Sequence, residues 1–346
     1  MFKDNKEPTK IAELGEFGLI KYLTENIELK NESSVYGVGD DAAVISTKKH
    51  QLITTDLLVE GIHFDLTYTP LKHLGYKAVV ANISDIYAMN GTPKQITVSI
   101  AISSKFSLEN IDQLYAGIYL ACEKYNVDLI GGDTSSSLTG LLISVTAIGE
   151  VENKKDITYR NGAKANDLIC VTGDLGSAYM GLQLLEREKK VFLETGTSQP
   201  DLEGNDYVLE RFLKPEAQKS LISLLKEIKV KPTSMIDISD GLASEILHIC
   251  KASKVGCHIY DEKLPIDGKT SMTAIEFNID PNTCAMNGGE DYELLFTISQ
   301  ADYDKIKGNP HMTVIGHITD EKDGRYYIDK NGAAIELQAQ GWDHLK

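Results

Sequence analysis

Six short stretches of this 346-residue chain each end an apolar run in a small, acid-rich turn. They are GVGDDAAVI (37–45), LITTDLLVEGIHF (52–64), ANISDIYAMNG (81–91), LIGGDTSS (129–136), SMIDISDGL (234–242) and MNGGEDYELLF (286–296). They carry Asp40, Asp41, Asp56, Asp85, Asp133, Asp237, Asp240, Glu290 and Asp291. Clustered carboxylates repel each other unless a cation neutralises them, and hard oxygen donors select Mg²⁺ or Ca²⁺. Mg²⁺ commonly accompanies substrate phosphates, so magnesium-dependent phosphate chemistry is the leading reading. Thr54-Thr55-Asp56 adds two hydroxyls to a carboxylate after an apolar strand. Gly131-Gly132-Asp133-Thr134 combines glycines, which let backbone amides approach a phosphate, with a metal-binding carboxylate. No Walker loop is present: Gly268-Lys269-Thr270 imitates its end, but Lys263 stands where the first glycine belongs.

These groups need a scaffold, and the pattern supplies a mixed α/β one. Residues 11–29 read as an amphipathic helix, 37–45 as a turn entering a strand, and 51–55 as a second strand. Pro70 opens a helix that runs through Asn90, with Gly91 past its end. Asn82 and Asp85 share one face of that helix. An aspartate on a mostly apolar stripe is costly to bury alone, which favours a ligand role. Strands follow at 96–102, 127–130 and 141–151, with a helix capped by Ser107 between the first two. A polar stretch near residue 152 marks a domain boundary, giving domains 1–152 and 153–346. In the second, a strand at 167–173 precedes a helix at 177–185, and the polar segment 187–206 reads as a surface insertion or lid. Helices near 216–229 and 242–253 and strands near 255–260, 293–299 and 312–319 complete it. RYYID (325–329) reads as strand packing, and Asp291 as a helix or turn cap rather than a ligand.

Composition narrows the function. The hydrophobic fraction of 42% supports real cores. A formal net charge of −16 repels a phosphate backbone, so no nucleic-acid partner is expected. No apolar run reaches membrane-spanning length and the N-terminal residues lack a secretory apolar segment, which predicts a cytoplasmic protein with no membrane partner. Five cysteines without a CxxC pair suggest neither a disulfide framework nor a zinc site, and are expected to be packing residues. A non-catalytic acidic cation-binding protein is the rival from another class, and the absence of EF-hand spacing counts against its commonest form.

Taken together, GVGDDAAVI, TTDLLVEGIHF, NISDIYAMNGTPK, LIGGDTSSS, DISDGL and GGEDYELLF resemble the thiamine-monophosphate kinase family. That family belongs to the ATP-binding superfamily of aminoimidazole ribonucleotide synthetase, and the likeness runs from about Gly15 to the C-terminus. It implies an N-terminal α/β domain that binds ATP and Mg²⁺ and dimerises through its sheet, and a C-terminal α/β domain that completes the active site. It implies direct in-line transfer from ATP to thiamine monophosphate, giving thiamine diphosphate and ADP in a homodimer. By motif, Asp41, Thr54, Thr55, Asp56, Asp85, Asp133, Asp237 and Asp240 match magnesium ligands, and Asp56, Asp85, Asp133 and Asp240 are the expected catalytic set. Asp40 contributes only through geometry. Gly132, Asp133, Ser239, Arg160 and Tyr115 match the nucleotide side, and His63, Glu290 and Trp342 match thiamine-phosphate contacts. Among superfamily relatives, selenophosphate synthetase would want a reactive Cys or selenocysteine near the N-terminus, and no cysteine precedes Cys122.

Overall fold

The computed structural model describes residues 11–38, 43–196 and 199–340, so Asp40, Asp41 and Trp342 lie outside the described residues. The chain divides into two compact units, one over Met1–Ile86 and Thr92–Glu150, the other over Tyr87–Gly91 and Val151–Lys346.

The first unit contains α1 (Ile11–Thr24), a short antiparallel pair β1 (Ser34–Tyr36) and β2 (Val44–Ile45), then β3 (His50–Val59), α2 (Leu71–Ala88), β4 (Thr92–Ile102), α3 (Leu108–Tyr125), β5 (Asp128–Ser136) and β6 (Leu142–Val151). Its main sheet has the order β3-β6-β4-β5, with β4 antiparallel to β6 and parallel to β5. Alternation explains the sheet. On β4, Ile96, Val98, Ile100 and Ile102 are buried, whereas Thr97, Ser99 and Ala101 stay partly open on the other face. α1 stops at Thr24, short of the predicted 29, and α2 stops at Ala88, short of the predicted Asn90, which takes the left-handed conformation at φ 61°. α3 has the Ser107 cap read from sequence: Ser107 Oγ accepts from Asn110 N–H, and the Asn110 side chain accepts from Ser107 N–H.

β7 (Leu168–Thr172) opens the second unit's framework, followed by α4 (Ser177–Thr195), α5 (Asp206–Leu213), α6 (Lys219–Glu227), β8 (Ser234–Asp237), α7 (Leu242–Ser253) and β9 (Val255–Tyr260). Then come α8 (Gly268–Glu276), α9 (Pro281–Asn287), β10 (Leu294–Ile298), α10 (Tyr303–Ile306), β11 (Met312–Asp320), β12 (Arg325–Ile328) and β13 (Ala334–Glu336). The sheet runs β13-β12-β9-β11-β7-β10-β8, antiparallel except where β12 pairs with β9. Its core is built on Ile169, Val171, Ile236, Leu295 and Ile318 of the sheet with Ile246 and Ile249 of α7. All five cysteines are buried thiols.

In this unit the expected insertion changes, and the Walker-like triplet that the sequence already excluded has a structural place. The segment from Arg187 is not wholly an insertion, because α4 continues to Thr195. EREKKVFLET is rich in helix formers, and Glu188 is buried where its carboxylate accepts the Asp201 N–H at 2.8 Å, which ties the following turn to the helix. Gly268-Lys269-Thr270 forms the first turn of α8. Asp267 caps it through the Lys269 N–H at 2.7 Å, and Thr270 is buried against Ser177. A carboxylate already holds that helix start, so it is a helix cap.

Candidate active site

β3 and α2 bring together one part of the predicted site. Side chains alternate along a strand, so Thr54 and Asp56 share a face and Thr55 takes the other. Thr54 Oγ1 donates to Asp85 Oδ2 at 2.5 Å, and Asp56 N–H donates to Asn82 Oδ1 at 3.0 Å. The face of α2 that the sequence assigned to Asn82 and Asp85 therefore looks onto β3. Burial pushes the Asp56 carboxyl up to about 6, and the nearby Asp85 charge adds to the shift. Two carboxylates and a hydroxyl with no sulfur or imidazole among them form a donor set of the kind a hard divalent cation takes. Thr55 is not part of this cluster, since its hydroxyl donates to Val145 O at 3.1 Å and lies 3.1 Å from the Thr146 hydroxyl.

Asp133 lies elsewhere in the same sheet. β5 and β3 are its opposite edges, three strand spacings apart or about 14 Å along the sheet. The strand predicted for 127–130 continues through Ser136, so Gly131-Gly132-Asp133-Thr134 is edge strand rather than turn, with Asp133 exposed opposite Ser99. Gly132 is needed for packing: a Cβ there would lie 1.8 Å from Val98 O. Among the described residues no group of three or more His, Cys, Asp or Glu stands close enough to hold a metal ion.

His63 follows β3 in a short turn and is half-buried. Its Nδ1 accepts the Val59 N–H at 3.1 Å, which places the proton of the neutral ring on Nε2. The neighbouring Glu60 carboxylate accepts the Leu141 N–H at 2.7 Å and fixes the turn to the start of β6. Tyr115 is 7% exposed on the inner face of α3, with the Tyr119 ring 6.1 Å away, which is a core position.

In the second unit the remaining residues gather where β8 and β10 end. Asp237 closes β8 and is buried, and Leu294 of β10 pairs with it. Beyond that pair the two acidic turns are zipped through their backbones. Ile238 N–H donates to Glu293 O at 2.8 Å, Tyr292 N–H to Ile238 O at 2.9 Å, and Glu290 N–H to Ser239 O at 2.7 Å. The GGED turn is unusual in conformation: Gly289, Glu290 and Tyr292 have φ of 74°, 59° and 50°. Two of these are non-glycine residues in the left-handed region, held there by the ladder. Arg160 is exposed, and its carbonyl accepts from the Ser253 hydroxyl at 3.0 Å.

Beneath the GGED turn lies a buried ionic group. Asp291 accepts from Gly176 N–H at 2.9 Å and Ala178 N–H at 3.4 Å at the start of α4, a helix-capping position as read from sequence. Arg211 of α5 pairs with Glu293 at 2.9 Å and stands 4.0 Å from Asp291. Glu293 also accepts from the Thr172 hydroxyl, and burial drives both carboxyls upward, Asp291 to about 7. Sequence reading missed Arg211, because nothing in YVLERFL separates it from a surface arginine. It also missed Glu245 on α7, which is buried and accepts the Asp240 N–H at 3.2 Å. Burial above all raises Glu245, the Asp240 N–H it accepts draws it down, Asp237 and Asp240 push it up and Arg160 lowers it, leaving it at about 8. The available signal was an acid four residues past Gly241 in DGLASEIL, facing back along the helix.

Residues 39–151 match the family described as AIR synthase related protein, N-terminal domain, and the fold is of that AIR synthase-like class. Thiamine-monophosphate kinase of Bacillus subtilis is 35% identical over 342 residues, covering 96% of this chain and all of that protein. A solved structure described as AaThiL complexed with AMPPCP and TMP is 32% identical and covers 98% of this chain and 100% of that one, with a TM-score of 0.73. The crystal structure of thiamine-monophosphate kinase from Stenotrophomonas maltophilia gives a TM-score of 0.77 at 29% identity, covering 93% and 98%. The chain belongs to the thiamine-monophosphate kinase family. No helix among the described residues is long and apolar enough to cross a membrane.

Proposed function

We propose that this chain catalyses ATP-dependent phosphorylation of thiamine monophosphate, producing thiamine diphosphate and ADP. The observation that carries this reading is the near full-length match to a protein solved with AMPPCP and TMP, in a chain whose relatives bear the kinase name. The acceptor is a phosphate oxygen, already ionised near neutral pH, so the protein has no strong base to supply. Its task is positioning and charge compensation.

Each unit has its part in the proposal. In the first, Thr54, Asp56 and Asp85 hold magnesium as a group, with Asp41 and Asp133 as further ligands and Gly132 at the nucleotide. Thr55 serves through its carbonyl, because its hydroxyl is engaged with Val145 and Thr146. Mg²⁺ held by these carboxylates would supply positive charge against the phosphates and lower the repulsion between donor and acceptor. Asp237 and Asp240 are ligands from the second unit, with Ser239 and Arg160 on the nucleotide phosphates. His63 offers its Nε2–H to the acceptor phosphate, Glu290 complements the cationic thiazolium, and Trp342 stacks on it. Tyr115 serves as packing behind the nucleotide side.

The proposal includes a homodimer. The β3 edge shows Ile53 at 68% and Leu57 at 48% exposure, on the sheet face opposite Thr54 and Asp56. A second copy covering that face would bury both.

The test is direct. Incubation with ATP, Mg²⁺ and thiamine monophosphate should yield thiamine diphosphate and ADP in equal amounts by chromatography. ADP released without thiamine diphosphate would assign the chain a different phosphoryl acceptor.

A further inference from the structure

On α5, Tyr207 and Arg211 stand one turn apart and share a face. Both reach the loop between β7 and α4. The Tyr207 hydroxyl donates to the Asp174 carboxylate, and Arg211 Nη2 donates to Asp174 O at 3.0 Å. The same Nη2 pairs with Glu293 at 2.9 Å and stands 4.0 Å from Asp291. One largely buried guanidinium thus ties α5 to the 173–176 loop and to the residues that lead into β10. Gly173 is moulded to the same group, since a Cβ there would lie 2.3 Å from Glu293 Oε1.

Stability alone is a poor account of this arrangement. Apolar residues of similar volume in place of a buried ion pair are often neutral or stabilising. Arg211 Nε is buried with no partner among the described residues, so the head group meets Glu293 and Asp174 with one donor left over, which is costly. The turn above it is where support is needed. Asp291 sits between Glu290 and Tyr292, whose φ of 59° and 50° are left-handed, and such backbone persists only where its surroundings over-determine it. The ladder to residues 238–239 holds the turn by its backbone, and Arg211 holds it by the side chains beneath.

We infer that Arg211 is a positioning residue for the acceptor side of the site: by holding Glu293 and Asp291 it keeps the GGED turn in the conformation that presents Glu290 to thiamine monophosphate. It touches neither substrate. The inference rests on the proposed kinase reading for the role of Glu290. Thr54, Asp56 and Asp85 are held by their own hydrogen bonds within the first unit, and residues 238–239 continue directly from β8. The effect of Arg211 therefore falls on the acceptor before it falls on ATP.

Two variants of the full chain test it, Arg211→Met and Arg211→Lys. Steady-state kinetics give the KM of each substrate. Titration calorimetry in Mg²⁺ gives the affinity for AMPPCP, and for thiamine monophosphate with AMPPCP present. Arg211→Met is expected to weaken thiamine-monophosphate binding and raise its KM by about tenfold, the scale of one charge-assisted contact at Glu290. The ATP KM and the AMPPCP affinity should stay within about twofold, the range of an unperturbed contact. Arg211→Lys keeps the charge on a smaller head group, so it should show a smaller loss in the same direction. Wild-type affinity for thiamine monophosphate in Arg211→Met, with only a lower Tm, would leave a stabilising ion pair and overturn the inference. Equal losses for both substrates would overturn it as well. If the methionine variant does not fold, unchanged acceptor affinity in Arg211→Lys has the same force. A wild-type chain that binds no thiamine monophosphate would sink the kinase reading and the inference with it. A wild-type chain that makes thiamine diphosphate beside variants with unchanged acceptor affinity would sink the inference alone.

Discussion

Asp56 bears a cost of burial that a bound cation would offset at neutral pH. Its carboxyl is raised from 3.8 to about 6, first by burial and then by Asp85. The sign of the linkage follows. An acid whose folded-state value is raised binds its proton more tightly in the folded chain. The stabilisation from that proton is present below about 4 and is lost as pH rises through about 6. Metal-free protein at pH 8 therefore carries an unrelieved charge, and Asp56→Asn is expected to raise its Tm by a few degrees, at ~2–4 °C per kcal/mol for a unit of this size. The same variant should lose turnover by more than about a hundredfold, since a shared ligand is gone. Scanning calorimetry without metal and a coupled ADP assay measure the two effects, and a variant that is both active and unchanged in Tm would contradict the assignment. A second expectation concerns the wild type. Protons and Mg²⁺ compete for Asp56, so the Mg²⁺ concentration giving half-maximal rate should climb as pH falls below about 6, by up to about tenfold per unit. A flat Mg²⁺ requirement between pH 5 and 8 would remove Asp56 from the binding group.

At the level of elements, two contacts set the site. β5 can approach β4 only because residue 132 has no side chain, a methyl there falling 1.8 Å from Val98 O. Gly132→Ala should force the edge strand outward, lowering Tm and activity together, as urea unfolding and kinetics would show. Arg211 is the cation for buried Asp291 and Glu293, and removing one partner of a buried pair commonly costs about 3–5 kcal/mol. Arg211→Met should cost that much in urea denaturation. A loss under about 1 kcal/mol would mean that the two acids are satisfied without it.

These elements also show what sequence can and cannot tell. The Asn82–Asp85 face was legible because helical spacing fixes it, and the Ser107 cap because the serine precedes an apolar stripe. The opposed faces of Thr54 and Thr55 follow from strand period alone once the strand is known to run from His50 to Val59. The extension of β5 through two glycines was hidden, since glycine in a strand reads as a turn until the neighbouring backbone is seen. The α4 continuation was masked by charge density and by Gly196 and Pro200 just beyond. Arg211 and Glu245 depend on partners 82 and 5 residues away, and only folding reveals the first kind of neighbour.

For the whole molecule, the decisive question is the second copy. The acids of the first unit lie on opposite edges of one four-stranded sheet, and an apolar strip beside one edge is open. Leu57→Asp, or Ile53→Asp, is expected to shift sedimentation from dimer to monomer and to remove most activity while leaving the circular dichroism unchanged. A wild-type chain that sediments as an active monomer would retire the dimer.

The ladder joining residues 238–239 to 290–293 reaches beyond catalysis to heredity. Two segments some fifty positions apart are locked in register, so an insertion or deletion of one codon in either would misplace the carboxylates of both at once. Lineages of this enzyme should therefore keep the spacing of these two ribbons and change letters there only in concert.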